Sequence, residues 1–104
     1  MLIKWTPFAV RKLNHVYAYI YMKEQSHKLA EKQIDKILEI VNILKKHPDM
    51  GVTEPMLRDY KKEYRYLLEG NYKIIYRQQD HIIYIIDVFH TKQHPRKIKR
   101  NRGR

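Results

Sequence analysis

The sequence predicts an α+β fold: an N-terminal helical hairpin packed on a small, mainly antiparallel β-sheet. Two observations carry that prediction. Apolar residues recur at three- and four-residue spacing through the first half of the chain and at two-residue spacing from Glu63 onward. Cap and turn residues fall between these periodic runs, where they separate elements instead of breaking them. At 104 residues, 43% of them hydrophobic, the chain can build one compact core and not two. Residues 1–90 are therefore expected to form a single domain and 91–104 a basic C-terminal tail.

Leu2–Trp5 reads as a short edge strand. Thr6 followed by Pro7 is a helix start, a hydroxyl cap before a proline that needs no amide partner in the first turn. Leu13, Val16, Tyr17, Ile20 and Tyr21 then mark one face of a helix of about four turns. Ser26 caps a second helix, in which Ala30, Ile34, Ile37, Val41 and Leu44 step by four and three. Lys45, Lys46 and His47 are expected in its last turn, where cations suit the helix dipole, and Pro48 stops it. The short gap between the helices implies an antiparallel hairpin. Residues 63–68, 72–78 and 82–89 are β-branched and aromatic at period two, with turns at 70–71 and 79–81, so they read as an antiparallel meander.

Twenty-two Lys and Arg stand against eleven Asp and Glu, a net charge of +11. Seven of those bases lie in 91–104, which holds no acid, so fifteen bases face eleven acids in the rest. The charge implies an acidic or polyanionic partner, and the Pro95, Asn101 and Gly103 interruptions imply an extended tail. The absence of Cys excludes disulfides, thiolate metal sites and cysteine nucleophiles. The longest apolar run, 82–86, is far short of the roughly 20 residues of a membrane span. With no apolar leader in residues 1–5, a cytoplasmic protein without membrane contact is expected. Six His show no paired ligand spacing, and three Gly form no phosphate loop, so neither metal nor cofactor is expected.

Strand register decides which side chains share a face. A three-residue first turn at 69–71 sets Arg65 opposite Ile75 and diagonal to Arg77, with Lys73 on the same face, whereas a two-residue turn separates the arginines. A two-residue second turn at Gln79 and Asp80 adds His90. The register that gathers these groups is adopted as the working expectation. Arg65, Arg77 and His90 would then be catalytic, with Lys61, Lys62, Lys73 and, in the tail, Arg96 and Lys97 binding substrate. Two guanidiniums can hold a phosphate and stabilise a pentacovalent transition state, while His90 exchanges a proton during 2′-hydroxyl attack, without a metal. The competing reading is structural: the arginines can pair with Glu63, Glu69, Asp80 or Asp87, and His90 merely ends a strand. Among the nine Tyr, positions 17, 21, 72, 76 and 84 are expected to pack in the core and not to stack on bases.

The order of elements, with "YAYI" in the first helix, "LKKHPDMG" closing the second, then "YRYLLEGNYKIIYR" and "IIYIIDVFHTKQHP", resembles the RelE/ParE superfamily of toxins from type II toxin-antitoxin modules. The resemblance spans nearly the whole chain. It implies growth arrest, a cognate acidic antitoxin, and one of two targets: ribosome-bound mRNA, cut by basic residues on the sheet, or DNA gyrase, blocked without RNA cleavage. By position Arg65 and Arg77 match the sheet arginines of the nuclease branch, Lys61 and Lys62 its lysine-rich approach, and His90 a strand-end histidine of some members. The catalytic tyrosine of certain ribosome-dependent members has no counterpart, because Thr91, Lys92, Gln93 and His94 follow His90. The working expectation is a ribosome-associated mRNA endonuclease, with gyrase inhibition as the alternative and a non-toxic basic RNA-binding module as the third. Oligomeric state stays open.

Overall fold

The computed structural model describes residues 1–57 and 63–92. Strand β1 (Leu2–Trp5) leads into helix α1 (Pro7–Glu24) and helix α2 (His27–Ile43); β2 (Val52–Thr53), a single 3-10 turn at Pro55–Leu57, and strands β3 (Tyr64–Glu69), β4 (Tyr72–Gln79) and β5 (Ile82–His90) follow. The five strands form one sheet in the order β1-β5-β4-β3-β2, in which β1 runs parallel to β5 and every other pair is antiparallel. The α+β class, the hairpin and the three-strand meander are as the periodicity predicts. No helix among the described residues is long and apolar enough to cross a membrane.

Both helix starts follow their caps. Thr6 Oγ1 accepts from the Ala9 amide and Ser26 Oγ from the Leu29 amide, each at 3.1 Å, which satisfies one otherwise orphaned donor at each end. Gln25 joins the helices in the left-handed region (φ 53°), and its amide closes α1 by donating to Tyr21 O at 2.7 Å. Helix α2 ends at Ile43, so Lys45, Lys46 and His47 lie just past it and not in its last turn.

The hydrocarbon of Ala9, Val16, Ile37, Val41 and Leu44 packs on Ile74, Tyr76, Ile83, Ile85 and Val88 of the sheet. Each large aliphatic buried here contributes about 1.5 to 3 kcal/mol. A second, smaller cluster of Leu57, Ile75, Ile86 and Phe89 lies on the opposite face, flanked by Tyr64, Tyr66 and Tyr84. Tyr17 and Tyr21 are half-buried and hold His27 instead of entering the core: the Tyr17 hydroxyl is hydrogen-bonded to His27 Nδ1 at 2.7 Å, and Tyr21 stacks on the ring at 4.0 Å.

Two features of register depart from expectation. Glu69 pairs with Tyr72, so the first turn has two residues, Gly70 (φ 58°) and Asn71; Gln79 pairs with Ile82, so the second is Asp80 (φ 56°) and His81. In addition, Ile75 pairs with Asp87 while Tyr76 pairs with Ile85, leaving Ile86 as an extra residue in β5. That bulge shifts the alternation of everything after it by one position.

Candidate functional site

With the two-residue turn, Arg65 lies opposite Tyr76, not Ile75, and Tyr64 takes the place opposite Arg77. Alternation then sends Tyr72, Ile74 and Tyr76 toward the helices and Lys73, Ile75 and Arg77 to the far face. The structure therefore does not bring Arg65 and Arg77 onto one face, and the expected cationic floor is dispersed.

On the helix-covered face, Arg65 belongs to a clasp. Its Nη1 donates to Gly51 O at 2.8 Å, and its Nη2 lies 2.8 Å from Glu63 Oε1. The buried Tyr76 hydroxyl accepts from the Gly51 amide at 2.9 Å and donates to Pro48 O at 2.8 Å. Burial pushes the Tyr76 pKa up, against the opposing pull of the Gly51 amide and of Arg65. The neutral hydroxyl is the form that can still donate to Pro48. Gly51 must be glycine for its neighbours' sake: a Cβ there would come within 2.7 Å of Tyr66 O and of the Tyr76 ring and hydroxyl.

On the far face the cations are committed to anions and rings. Lys73 Nζ lies 2.6 Å from Glu54 Oε2, beneath which the carboxylate is fully buried, and 4.2 Å from the Tyr66 ring centroid. Arg77 donates to Gln79 Oε1 at 2.6 Å with its guanidinium 4.5 Å above Tyr84. Asp87, carried to this face by the bulge, meets Lys12 of α1 at 2.9 Å at the level where β1 has ended.

The bulge moves His90 the other way, opposite Tyr72 on the helix side, where the rings meet edge-on at 5.4 Å. The Lys92 amide donates to His90 Nδ1 at 3.2 Å, so the neutral ring carries its proton on Nε2. His90 lines a cleft of about 570 Å³ with Lys12, His15, Tyr19, Tyr72 and Lys92. Burial, and next the adjoining Tyr19 hydroxyl, push the Tyr72 pKa up. Lys12, His15 and Tyr19 were not among the residues expected at a site, although their spacing of three and four marks one stripe of α1. The cleft can hold an anion against an aromatic wall, but it contains neither sheet arginine. Lys61, Lys62, Arg96 and Lys97 lie outside the described residues.

Residues 3–95 match the family model described as "ParE toxin of type II toxin-antitoxin system, parDE". The chain belongs to the ParE toxin family. It is thus the toxin of a type II toxin-antitoxin system, the kind of protein that is paired with a cognate antitoxin. Among solved structures, a ParE-like fold recurs in a chain described as "Chromosomal ParDE TA system from P. aeruginosa", 24% identical, with a TM-score of 0.72 over 86% of this chain and 95% of that one. No curated protein sequence matches. In this ParE-family toxin the sheet arginines are thus tied to a loop carbonyl and to a strand-end amide, on opposite faces.

Proposed function

We infer that the chain arrests growth by inhibiting DNA gyrase in the cytoplasm, without cutting mRNA, and that an acidic antitoxin neutralises it. The observation that carries the reading is the dispersal of Arg65, Arg77 and His90. General acid-base cleavage of a phosphodiester needs its groups within hydrogen-bond reach of one phosphate, and here Arg77 lies on the far face while Arg65 and His90, both on the helix side, sit four residues apart along β4, beside Tyr76 and Tyr72. ParE-type toxins act on gyrase, and the helical hairpin supplies a surface for a protein target. Near its tip Tyr19, Met22 and Leu29 are exposed apolar side chains, beside the base Lys23.

The test is a pair of assays on purified toxin. Gyrase supercoiling is expected to be inhibited, while message in a cell-free translation reaction stays intact. Normal supercoiling together with truncated message would overturn the reading. A Tyr19→Ala, Met22→Ser variant is expected to inhibit about tenfold more weakly, the equivalent of roughly 1.4 kcal/mol of interface energy, with unchanged thermal stability.

A further inference from the structure

Strand β1 closes one side of the sheet, and among the described residues it has a neighbour on one side only. Its amides at Leu2 and, just beyond it, Thr6 donate to His81 O, in the turn before β5, and to Ile85 O of β5, each at 3.1 Å. In a parallel pair, donors and acceptors alternate residue by residue. The N–H and C=O groups of Ile3 and Trp5 therefore point away from β5, along the free edge.

That edge is the floor of a groove. Ile3, Trp5, Leu38 and Val41 supply apolar wall, and Asp35, Glu39 and Lys45 are its charged residues, all three exposed. Among the described residues none of these three side chains makes an ion pair. Met1 N donates to Lys45 O at 3.4 Å, which sets the end of α2 beside the start of β1. Counted back along α2 from that anchor, Lys45 lies at the Met1 end of the groove and Glu39 and Asp35 line it farther along the helix. Leu2, 64% exposed, and Leu38, 41% exposed, add apolar surface on the two sides of the edge.

A groove that is cationic at one end and anionic at the other complements itself when turned through 180°. We propose that two copies of this chain associate through β1, edge to edge and antiparallel, to make a continuous ten-stranded sheet with the α2 helices side by side. A two-fold axis at Ile3 sets Ile3 opposite the copy's Ile3, Trp5 opposite the copy's Met1, and Leu2 opposite the copy's Lys4. The free N–H and C=O groups then pair across the axis, and the copy's Lys45 meets Asp35 and Glu39. The alternative axis at Lys4 puts two ammonium groups directly opposite each other and is disfavoured. The interface is isologous, so it closes at two subunits and does not propagate.

The experiment is sedimentation equilibrium of the full-length chain across a dilution series, with hydrogen exchange on the same samples. A concentration-dependent dimer is expected, with the Ile3 and Trp5 amides protected in the dimer and exchanging fast on dilution. Lys45→Glu is expected to raise the dissociation constant at least about tenfold, and adding Glu39→Lys to restore it. Both positions are exposed, so the fold tolerates the exchange, and circular dichroism verifies that it does. A chain that stays monomeric throughout overturns the proposal, as does a dimer indifferent to Lys45→Glu with fast-exchanging Ile3 and Trp5 amides.

Discussion

On the helix-covered face the sheet buries hydrocarbon around the hydrogen-bonded hydroxyl of Tyr76, whereas on the far face it buries two carboxylates, Glu54 and Asp87, beneath the ammonium groups of Lys73 and Lys12. The first arrangement gains from apolar burial and needs one pair of hydrogen bonds to stay satisfied. The second gains little from its ion pairs as such, because desolvation offsets attraction, but it loses much if either partner is removed. The difference teaches what the basic residues of the sheet are for. Lys73 joins β4 to the segment after β2, and Arg65 joins β3 to the loop before it. These are anchors between elements remote in sequence, and cations so engaged are not free to receive a phosphate.

The largest effect is therefore expected at Lys73. Lys73→Met removes an ammonium group from the buried Glu54 carboxylate, at a cost of about 3 kcal/mol, the lower end for a buried pair because Lys73 keeps some contact with water. Chemical denaturation measures it, and a Glu54→Gln, Lys73→Met double variant should recover most of the loss. A single-variant loss below about 1 kcal/mol, typical of exposed pairs, would break the contrast between the faces. Next comes Gly51→Ala on the helix-covered side. The added methyl meets backbone and a fully buried ring, neither of which can yield, so a loss of about 2 to 3 kcal/mol is expected from overpacking. The same denaturation series reads it, and a neutral result would mean that the clasp at Tyr76 is loose.

How much of this could be seen beforehand follows from where local chemistry decides the structure. The helices were legible because Thr6, Pro7 and Ser26 act on their own neighbours and because Ile37, Val41 and Leu44 repeat one face. The strands of the meander were legible from alternation, their ends correct to within a residue, whereas the two-residue β2 is too short to show any period. The site was not, because register is a non-local property. One residue more or less in the turn at Gly70 moves Arg65 across the sheet, and the turn has two residues where three would have gathered the arginines. The bulge at Ile86 has no marker in a run of Ile, Tyr and Val, yet it alone sends His90 to the helix side and Asp87 to the far side. The parallel pairing of β1 with β5, which creates the free edge, likewise depends on a contact between the two ends of the domain.

Alkaline pH separates the faces in another way. The Tyr72 and Tyr76 hydroxyls have folded pKa values raised by burial. A group whose folded pKa lies above its unfolded value of about 10 contributes stability that is complete below that pH and is lost as pH rises through the folded pKa. Thermal unfolding should therefore shift little between about pH 7 and pH 9, where tyrosine remains protonated, and move downward above about pH 10. Tyr72→Phe should flatten the alkaline fall. An unchanged slope would mean that the Tyr72 hydroxyl does not carry the loss.

The smallest expected effect discriminates most between the two ways of arresting growth. Arg77 sits on the far face with its guanidinium over Tyr84 and one hydrogen bond to Gln79, at an exposed strand end. Removing such a contact costs about 0.5 to 1 kcal/mol, so Arg77→Ala should unfold within a few degrees of the parent. If the arginine is an anchor, gyrase inhibition by the variant stays unchanged and induced expression still stops growth. If it is instead a phosphate-binding group of a nuclease, the same folded variant loses toxicity altogether, because transition-state stabilisation by a guanidinium acts on rate and not on stability. A folded, non-toxic Arg77→Ala protein would thus overturn the anchoring role of the far face, whereas a folded, toxic one leaves RNA cleavage without one of its two arginines.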